Sequence, residues 1–260
     1  MNRIDELFER KSSGILSVYM TAGYPDLDDT ATVIQELATA GADLIEIGMP
    51  FSDPLADGPL LQKCNQKSLE NGMSLSTLFE QIGDIRETVN IPLVLMGYLN
   101  PVLNYGFEEF CSRAAETGID GLILPDLPVD EYEEAYKAIC EKYGLNMIFL
   151  ITPQTSEERI HRIATLSKGF IYMVSAAATT GARQGFQPEQ LNYFKRVSEM
   201  NLSTPTLIGF GISTAETFME ACKYAKGAII GSAFMKTLSG EGSIADKVSA
   251  FMTQIRPGSQ

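Results

Sequence analysis

The chain has 260 residues, 45% of them hydrophobic and 20% charged, and its formal net charge is -13 at pH 7. This composition is typical of a globular protein with a large core, and the negative charge disfavours nucleic acid and anionic lipid as partners. Four cysteines without a CxxC pair and a single histidine, His161, fit neither a zinc site nor a Ser-His-Asp triad. We therefore expect no metal.

The N-terminal segment "MNRIDELFERK" predicts a charged amphipathic helix without the apolar core of a signal peptide. The sequence has no run of about 20 apolar residues that could span a membrane. These features predict a cytoplasmic protein.

Eight short apolar runs then follow in chain order and predict eight strands, at 15–21, 43–49, 92–98, 121–126, 146–151, 170–175, 206–211 and 227–232. The runs are continuous rather than alternating, which is typical of parallel strands buried on both faces. Helical patterns separate them, and several of these begin with acidic residues and end at glycine, such as 26–41 and 156–169.

Eight strand–helix units predict a (β/α)8 TIM barrel, with residues 1–260 as a single domain and the first helix as an addition at the lower end. An open doubly wound sheet is the alternative, but the number of units and the length favour closure. In such barrels the active site lies at the carboxyl ends of the strands.

Glu46 lies in the apolar run "DLIEIGM", near the end of the second predicted strand. A buried ionised carboxylate is costly unless it is paired. Glu46 is therefore either one partner of an ion pair with a distant Lys or Arg, or an acid/base with a raised pKa. Asp57 follows in a loop stiffened by Pro50, Pro54 and Pro59, and is either a turn residue or a second carboxylate held opposite the first.

The seventh and eighth predicted strands both end in glycine followed by serine, in "LIGFGIS" (207–213) and "IIGSAF" (229–234). Backbone N–H groups at glycine can approach an anion closely, and phosphate-binding barrels build their cradle after these two strands. Tight packing is the alternative interpretation.

The loop 175–187 is rich in small residues and predicts either a mobile lid or an ordinary surface loop. Tyr172, in the sixth predicted strand, is either a hydroxyl at the barrel mouth or a core residue.

The segment "IEIGMPFSDPLADGP" closely resembles the signature of the tryptophan synthase alpha subunit family. Further resemblance to this family lies in "LMGYLNPVLNYG" (95–106), "GLILPDLPVDE" (121–131), "GFGIS" and "GAIIGSAFMK", so the likeness covers essentially the whole chain. The resemblance implies a lyase of L-tryptophan biosynthesis that cleaves indole-3-glycerol phosphate to indole and glyceraldehyde 3-phosphate by a retro-aldol step.

The resemblance also implies a role for each site residue. Glu46 would be the acid/base, Asp57 would bind the indole N–H, and Tyr172 would support Glu46. Apart from the resemblance, we expect closure of the lid to bring Thr180 towards Asp57. The substrate would be held by two further groups of residues, the indole by Tyr19, Leu61, Leu99, Leu124 and Phe210, and the phosphate by Gly181, Gly211, Gly231 and Ser232.

A partner protein is implied as well. The family pairs with a beta subunit in an alpha2-beta2 tetramer, and pyridoxal phosphate is expected only on that beta subunit, with no cofactor on this chain. Pro50, Asp53 and Pro54 would contact the partner. The segment "SAAATTG" departs from the family, because many members carry Arg and Gly within this stretch where this chain has alanine at 176–178. This departure predicts a change either in lid closure or in how the state of the partner is sensed.

Two other functions stay open. One is a different phosphate-sugar barrel, such as an isomerase or indole-glycerol phosphate synthase, although the synthase would carry a catalytic lysine in a strand and the eight predicted strands contain none. The other is a regulatory protein that binds and activates a beta subunit and has little or no lyase activity.

Overall fold

The structure is a computed structural model that describes residues 2–55, 57–175 and 185–256. Its centre is one sheet of nine parallel strands: β1 Ile15–Thr21, β2 Leu44–Gly48, β3 Leu93–Met96, β4 Gly121–Ile123, β5 Asn146–Ile148, β6 Leu150–Ile151, β7 Ile171–Val174, β8 Thr206–Gly209 and β9 Gly227–Ile230. Their order across the sheet is β5-β4-β3-β2-β1-β9-β8-β7-β6. The two outermost strands, β5 and β6, are adjacent in the chain, so the sheet closes into a barrel.

The predicted strand 146–151 differs from the structure, because it is two strands that share no neighbour. Residues of β5 pair with β4, whereas β6 pairs with β7. Phe149 stands between them, and its carbonyl accepts a hydrogen bond from the Tyr172 N–H at 2.9 Å. The (β/α)8 prediction is confirmed, with its fifth strand divided at Phe149. The sixth, seventh and eighth predicted strands are therefore β7, β8 and β9.

The helices lie between successive strands and after the last one. They are α1 Arg3–Arg10, α2 Thr30–Thr39, α3 Pro59–Glu70, α4 Leu75–Gln81, α5 Leu99–Tyr105, α6 Phe107–Glu116, α7 Val129–Glu131, α8 Lys137–Lys142, α9 Glu157–Leu166, α10 Pro188–Glu199, α11 Ala215–Ala221, α12 Ser232–Leu238 and α13 Ile244–Ile255. A π-helical turn, Tyr132–Tyr136, joins α7 to α8. Across the described ranges, no helix is long and apolar enough to cross a membrane.

The barrel interior is filled by an inner cluster, to which every strand contributes. Its strand members are Ile15, Leu44, Val94, Met96, Ile123, Ile148, Leu150, Tyr172, Val174, Leu207 and Ile229. Helix α1 adds Ile4 and Leu7, both essentially inaccessible to solvent. The expected N-terminal helix thus closes the lower end of the barrel, and the Arg3 guanidinium fixes it there through a 2.9 Å ion pair with Asp120.

A larger apolar cluster lies outside the strands and joins the sheet to the surrounding helices. In this fold the carboxyl ends of the strands and the loops that follow them carry the polar side chains that can meet a ligand. Residues placed there are the candidates for a functional site.

Candidate active site

Glu46 lies on the inner face of β2, in the upper half of the barrel. Side chains alternate along a strand, so Glu46 faces the same side as Leu44 of the inner cluster. Its partners in the strand ladder are Tyr19 of β1 and Val94 of β3. The side chain is completely buried. Among the described residues no Lys or Arg forms an ion pair with it, so the ion-pair interpretation has no support here.

The two oxygens of the Glu46 carboxyl have different surroundings. Oε1 accepts a 2.8 Å hydrogen bond from the Ser17 hydroxyl, whereas Oε2 has no hydrogen-bond partner within the described part of the chain. Burial raises the pKa of Glu46 to about 8, and the Ser17 hydrogen bond opposes that rise. A carboxyl with this pKa holds its proton at neutral pH and can both donate and accept one during a reaction.

Two buried tyrosines face the same interior as Glu46. Tyr172 of β7 has a strongly raised pKa, because of its burial first and then of the charges of Glu46 and Asp57. Burial, followed by the charge of Asp57, also raises the pKa of Tyr19. Both hydroxyls therefore stay protonated at neutral pH, and these electrostatic effects place them near the two carboxyl groups. Both earlier interpretations of Tyr172 therefore apply, because it belongs to the inner cluster and also lies beside the site.

Glycines on the neighbouring strands make room for these rings. A Cβ atom at Gly48 of β2 would collide with the Tyr19 hydroxyl, and one at Gly209 of β8 would collide with the Tyr172 hydroxyl. Each tyrosine therefore lies across the adjacent strand rather than upright on its own. This arrangement keeps both phenol groups inside the upper barrel, where each is less than a tenth exposed.

Asp57 is held by side chains of α3, which follows its loop. The Asn65 amide donates to the Asp57 carboxylate at 3.3 Å and to the Leu61 carbonyl at 2.9 Å, and its oxygen accepts from the Phe51 N–H at 3.3 Å. The Gln62 amide donates to the Asp57 carbonyl at 2.9 Å. The loop is thus fixed by hydrogen bonds to α3 in addition to its prolines.

The pKa of Asp57 is raised to about 6, because partial burial disfavours its charge, while the Asn65 hydrogen bond lowers it. Asp57 is therefore mostly ionised at neutral pH, whereas Glu46 is mostly protonated. Glu46 and Asp57 thus have separated pKa values, and such a separation suits one group to act as an acid and the other as a carboxylate.

Ser17 and Asn65 are site residues that the sequence analysis missed. Ser17 has the same inward orientation as Tyr19 two positions later, so its position within β1 was the available signal. Asn65 is 2% exposed and lies on the buried face of α3 with Leu61 and Cys64. A polar residue at an apolar helical position signals a buried hydrogen bond.

The residues assigned to the indole come from separate elements at the carboxyl ends of the strands. All except Phe210 are buried, and Phe210 is half-buried: Tyr19 in β1, Leu61 in α3, Leu99 at the start of α5, Leu124 after β4 and Phe210 after β8. The Phe210 and Tyr172 rings meet edge to face at 6.2 Å between centroids. The Leu99 N–H is held by the Asp126 carboxylate at 2.9 Å. Four of the five thus belong to the core, and the assignment of all five to the indole stays a prediction.

The residues assigned to the phosphate follow β8 and β9. Gly211 is exposed with a φ of +75°, and Phe210 before it has a φ of +67°. Gly231 lies against Tyr19, since a Cβ atom there would be 3.4 Å from the Tyr19 Cβ. Ser232 is exposed and begins α12. The Ser213 N–H is already bonded to the Thr217 hydroxyl at 3.1 Å, so it is not part of this backbone surface.

The three residues assigned to a partner lie on the loop between Glu46 and Asp57. Pro50 is half-buried, Asp53 is exposed, and Pro54 is buried. Leu55 is 88% exposed, which is unusual for a large apolar side chain. Among the described residues between Glu46 and Asp57, the exposed ones are thus Ser52, Asp53 and Leu55.

Some of the predicted lid lies outside the described residues. This applies to the alanines at 176–178, to Thr180 and to Gly181. Their assignments stay predictions.

The fold and the site together define a (β/α)8 barrel of the acid–base enzyme class, with one buried carboxyl inside and a second on the following loop. Residues 6–256 match the protein family described as "Tryptophan synthase alpha chain". The chain therefore belongs to the tryptophan synthase alpha chain family.

Individual relatives agree with this assignment. The chain is 57% identical to the tryptophan synthase alpha chain of Flavobacterium psychrophilum, over 98% of this chain and all of that one. It is 58% identical to that of Flavobacterium johnsoniae, with the same coverage. The crystal structure of tryptophan synthase subunit alpha from Legionella pneumophila is similar, with a TM-score of 0.89, 32% identity and coverage of 98% and 97% of the two chains. Tryptophan synthase from M. tuberculosis gives a TM-score of 0.85 at 28% identity, over 98% of each chain.

Proposed function

We propose that Glu46 and Asp57 cleave indole-3-glycerol phosphate to indole and glyceraldehyde 3-phosphate. Membership of the tryptophan synthase alpha chain family supports this activity for the whole chain. The observation that carries the residue assignment is Glu46 itself, a completely buried carboxyl with a pKa near 8 and one oxygen unbonded among the described residues.

The reaction needs two proton transfers and one charge stabilisation. Protonated Glu46 donates its proton to C3 of the indole ring, and the ring becomes a cation with its charge on nitrogen. The Asp57 carboxylate accepts a hydrogen bond from the indole N–H and stabilises that cation. The Glu46 carboxylate then takes the proton of the glycerol hydroxyl next to C3. The C–C bond breaks, its electrons return to the ring, and indole and the aldehyde are released.

The remaining site residues bind the substrate in this proposal. Tyr172 supports Glu46 at the barrel mouth. The indole packs on Tyr19, Leu61, Leu99, Leu124 and Phe210, and the phosphate lies on Gly181, Gly211, Gly231 and Ser232. Thr180 approaches Asp57 when substrate is bound. These steps use only side chains and backbone of this chain and require no cofactor on it.

The family also supports a protein partner. We propose that the chain assembles with a tryptophan synthase beta subunit as an alpha2-beta2 tetramer, with pyridoxal phosphate on the beta subunit. Pro50, Asp53 and Pro54 contact that subunit. Residues 1–260 act as one barrel domain, and four free cysteines agree with a cytoplasmic location.

Indole release from indole-3-glycerol phosphate, by the chain alone and with a beta subunit added, tests the proposed function. We expect cleavage in both cases. A chain that raises beta-subunit activity without ever releasing indole would be the regulatory protein instead. The synthase alternative is disfavoured because none of the nine described strands contains a lysine.

We expect kcat/KM to depend on pH as a bell-shaped curve. Activity falls as the pH drops through about 6, because Asp57 gains a proton and loses its negative charge. Activity also falls as the pH rises through about 8, because Glu46 loses the proton that it must donate. Initial rates between pH 5 and pH 10 measure both limbs. A rate that keeps rising through pH 8 would contradict the assignment of Glu46 as the initial proton donor.

We expect Ser232→Asp to raise KM for indole-3-glycerol phosphate at least about tenfold, because a carboxylate beside the phosphate repels it. The fold should tolerate the change, since Ser232 is exposed and aspartate is favourable in the first turn of a helix. Ser198→Asp is the control, because Ser198 is exposed near the end of α10 and adds the same charge elsewhere. Equal KM values in the two variants would show that the phosphate binds away from Ser232.

A further inference from the structure

The hydrogen bond between Ser17 and Glu46 links two strands inside the barrel. Ser17 is completely buried in β1, and its hydroxyl donates to Glu46 Oε1 at 2.8 Å. Ser17 pairs in register with Leu44, while Glu46 pairs with Tyr19. The bond is therefore a diagonal contact between adjacent strands on the inner face.

This contact restrains a side chain that has little else to hold it. A glutamate side chain has three rotatable bonds, and Oε2 has no hydrogen-bond partner in the described ranges. The hydrogen bond from the buried Ser17 to Oε1 restrains the carboxyl group and thereby limits the directions that Oε2 can take. A group that moves a proton between two substrate atoms needs such a fixed position.

We propose that Ser17 is a positioning residue for Glu46, which holds Oε1 so that Oε2 faces the substrate. The proposal rests on the proposed lyase function. Ser17 itself does not touch the reacting atoms.

The groups that face Glu46 determine what its titration reports. From β1 and β7 these are Tyr19 and Tyr172, whose pKa values are raised far above neutrality by burial and nearby carboxylate charge. Asp57, on the loop after β2, is the charged group that also acts on both tyrosines, and burial raises its own pKa to about 6, below that of Glu46. Burial raises the pKa of Glu46, and the Ser17 hydrogen bond lowers it. The alkaline limb of the rate profile therefore reports Glu46.

Ser17→Ala tests the proposal by two readouts. The alkaline limb should move up by about one pH unit, because the ionised carboxyl loses a charge-assisted hydrogen bond. At pH values below the alkaline limb, kcat should fall about tenfold with KM nearly unchanged, because Glu46 is no longer held in position. A merely structural serine would change stability without moving the limb.

Two further serine variants control for packing. Ser17→Thr keeps the hydroxyl and should restore the parent limb and most of kcat. Cysteine is nearly the size of serine but only a weak donor. If Ser17→Ala does not fold, Ser17→Cys takes its place and should move the alkaline limb in the same upward direction. Ser68→Ala is a matched control, because Ser68 is also completely buried but donates to the Ala22 carbonyl. The alkaline limb of its pH–rate profile should equal that of the parent.

A measurement without turnover separates this proposal from the proposed function. Carbon-13 NMR of glutamate-labelled protein, with Glu46 assigned by Glu46→Gln, gives the titration of the carboxyl directly. We expect a higher pKa in Ser17→Ala than in the parent. If the parent cleaves the substrate, and the alanine or cysteine variant has the same Glu46 titration and the same kcat, the role of Ser17 is wrong and the lyase function stands. A parent that never releases indole, even with a beta subunit, would overturn the lyase assignment.

Discussion

Glu46→Gln will lower kcat for indole-3-glycerol phosphate cleavage by about 10²-fold or more, because the amide cannot donate and recover a proton as the carboxyl does. Glutamine has nearly the same shape as glutamate, and its oxygen can still accept the hydrogen bond from Ser17. Folding and binding of a non-cleavable substrate analogue should therefore be retained. Stopped indole-release assays at pH 7, with and without a beta subunit, measure the loss.

Glu108→Gln is the matched control for this experiment. Glu108 is an exposed residue of α6 that pairs with Lys142 at 2.6 Å, and its substitution should leave turnover at the parent level. If Glu46→Gln turns over the substrate within a few-fold of the parent, Glu46 is not the acid–base group. Loss of analogue binding together with turnover would instead assign it a binding role.

The strand pattern was readable from sequence because parallel strands buried on both faces are continuously apolar. The hydrogen-bonded ladders are nevertheless shorter than the apolar runs. The run 121–126 forms a strand only as far as Ile123, and Leu124 beyond it is buried at the barrel mouth. An apolar residue that lines a pocket looks the same in sequence as one that pairs in a strand, so the run alone could not give the boundary.

The division of the fifth strand had no local signal. Phe149 is as apolar and buried as its neighbours, and the sequence "NMIFLI" continues without a break. The division arises because β5 pairs with β4 and β6 pairs with β7. Closure of the barrel decides this pairing, and closure is a property of the whole sheet rather than of six residues.

The candidate site was only half predictable for a similar reason. Glu46 stands out because it lies in the middle of an apolar run, and in the described part of the chain it is the single charged residue inside a strand. Its contact with Ser17 joins residues 29 positions apart, and its existence depends on the register between β1 and β2. Asn65 likewise reaches Asp57 and Phe51 only after α3 has packed beside the loop. Sequence shows which groups are unusual, whereas the register shows which groups they meet.

Glu46→Gln should also raise the stability of the fold at alkaline pH. The pKa of Glu46 rises from its usual 4.5 to about 8 on folding, so between these values the folded chain holds a proton that the unfolded chain releases. The free energy of unfolding therefore falls as the pH rises through this window, by on the order of 5 kcal/mol in total. Glutamine has no proton to lose, so the variant should not show this part of the decrease.

Urea unfolding of parent and variant at pH 5 and pH 9 measures the difference. The stability of Glu46→Gln relative to the parent should increase by a few kcal/mol between the two pH values. Asp57 also has a raised pKa, but it is present in both proteins and its contribution cancels. Glu108→Gln, an exposed substitution, should show no comparable increase. If the free energies of unfolding of the parent and of Glu46→Gln change in parallel with pH, Glu46 has an ordinary pKa in the folded state. Its raised pKa and its assignment as the initial proton donor would then both be wrong.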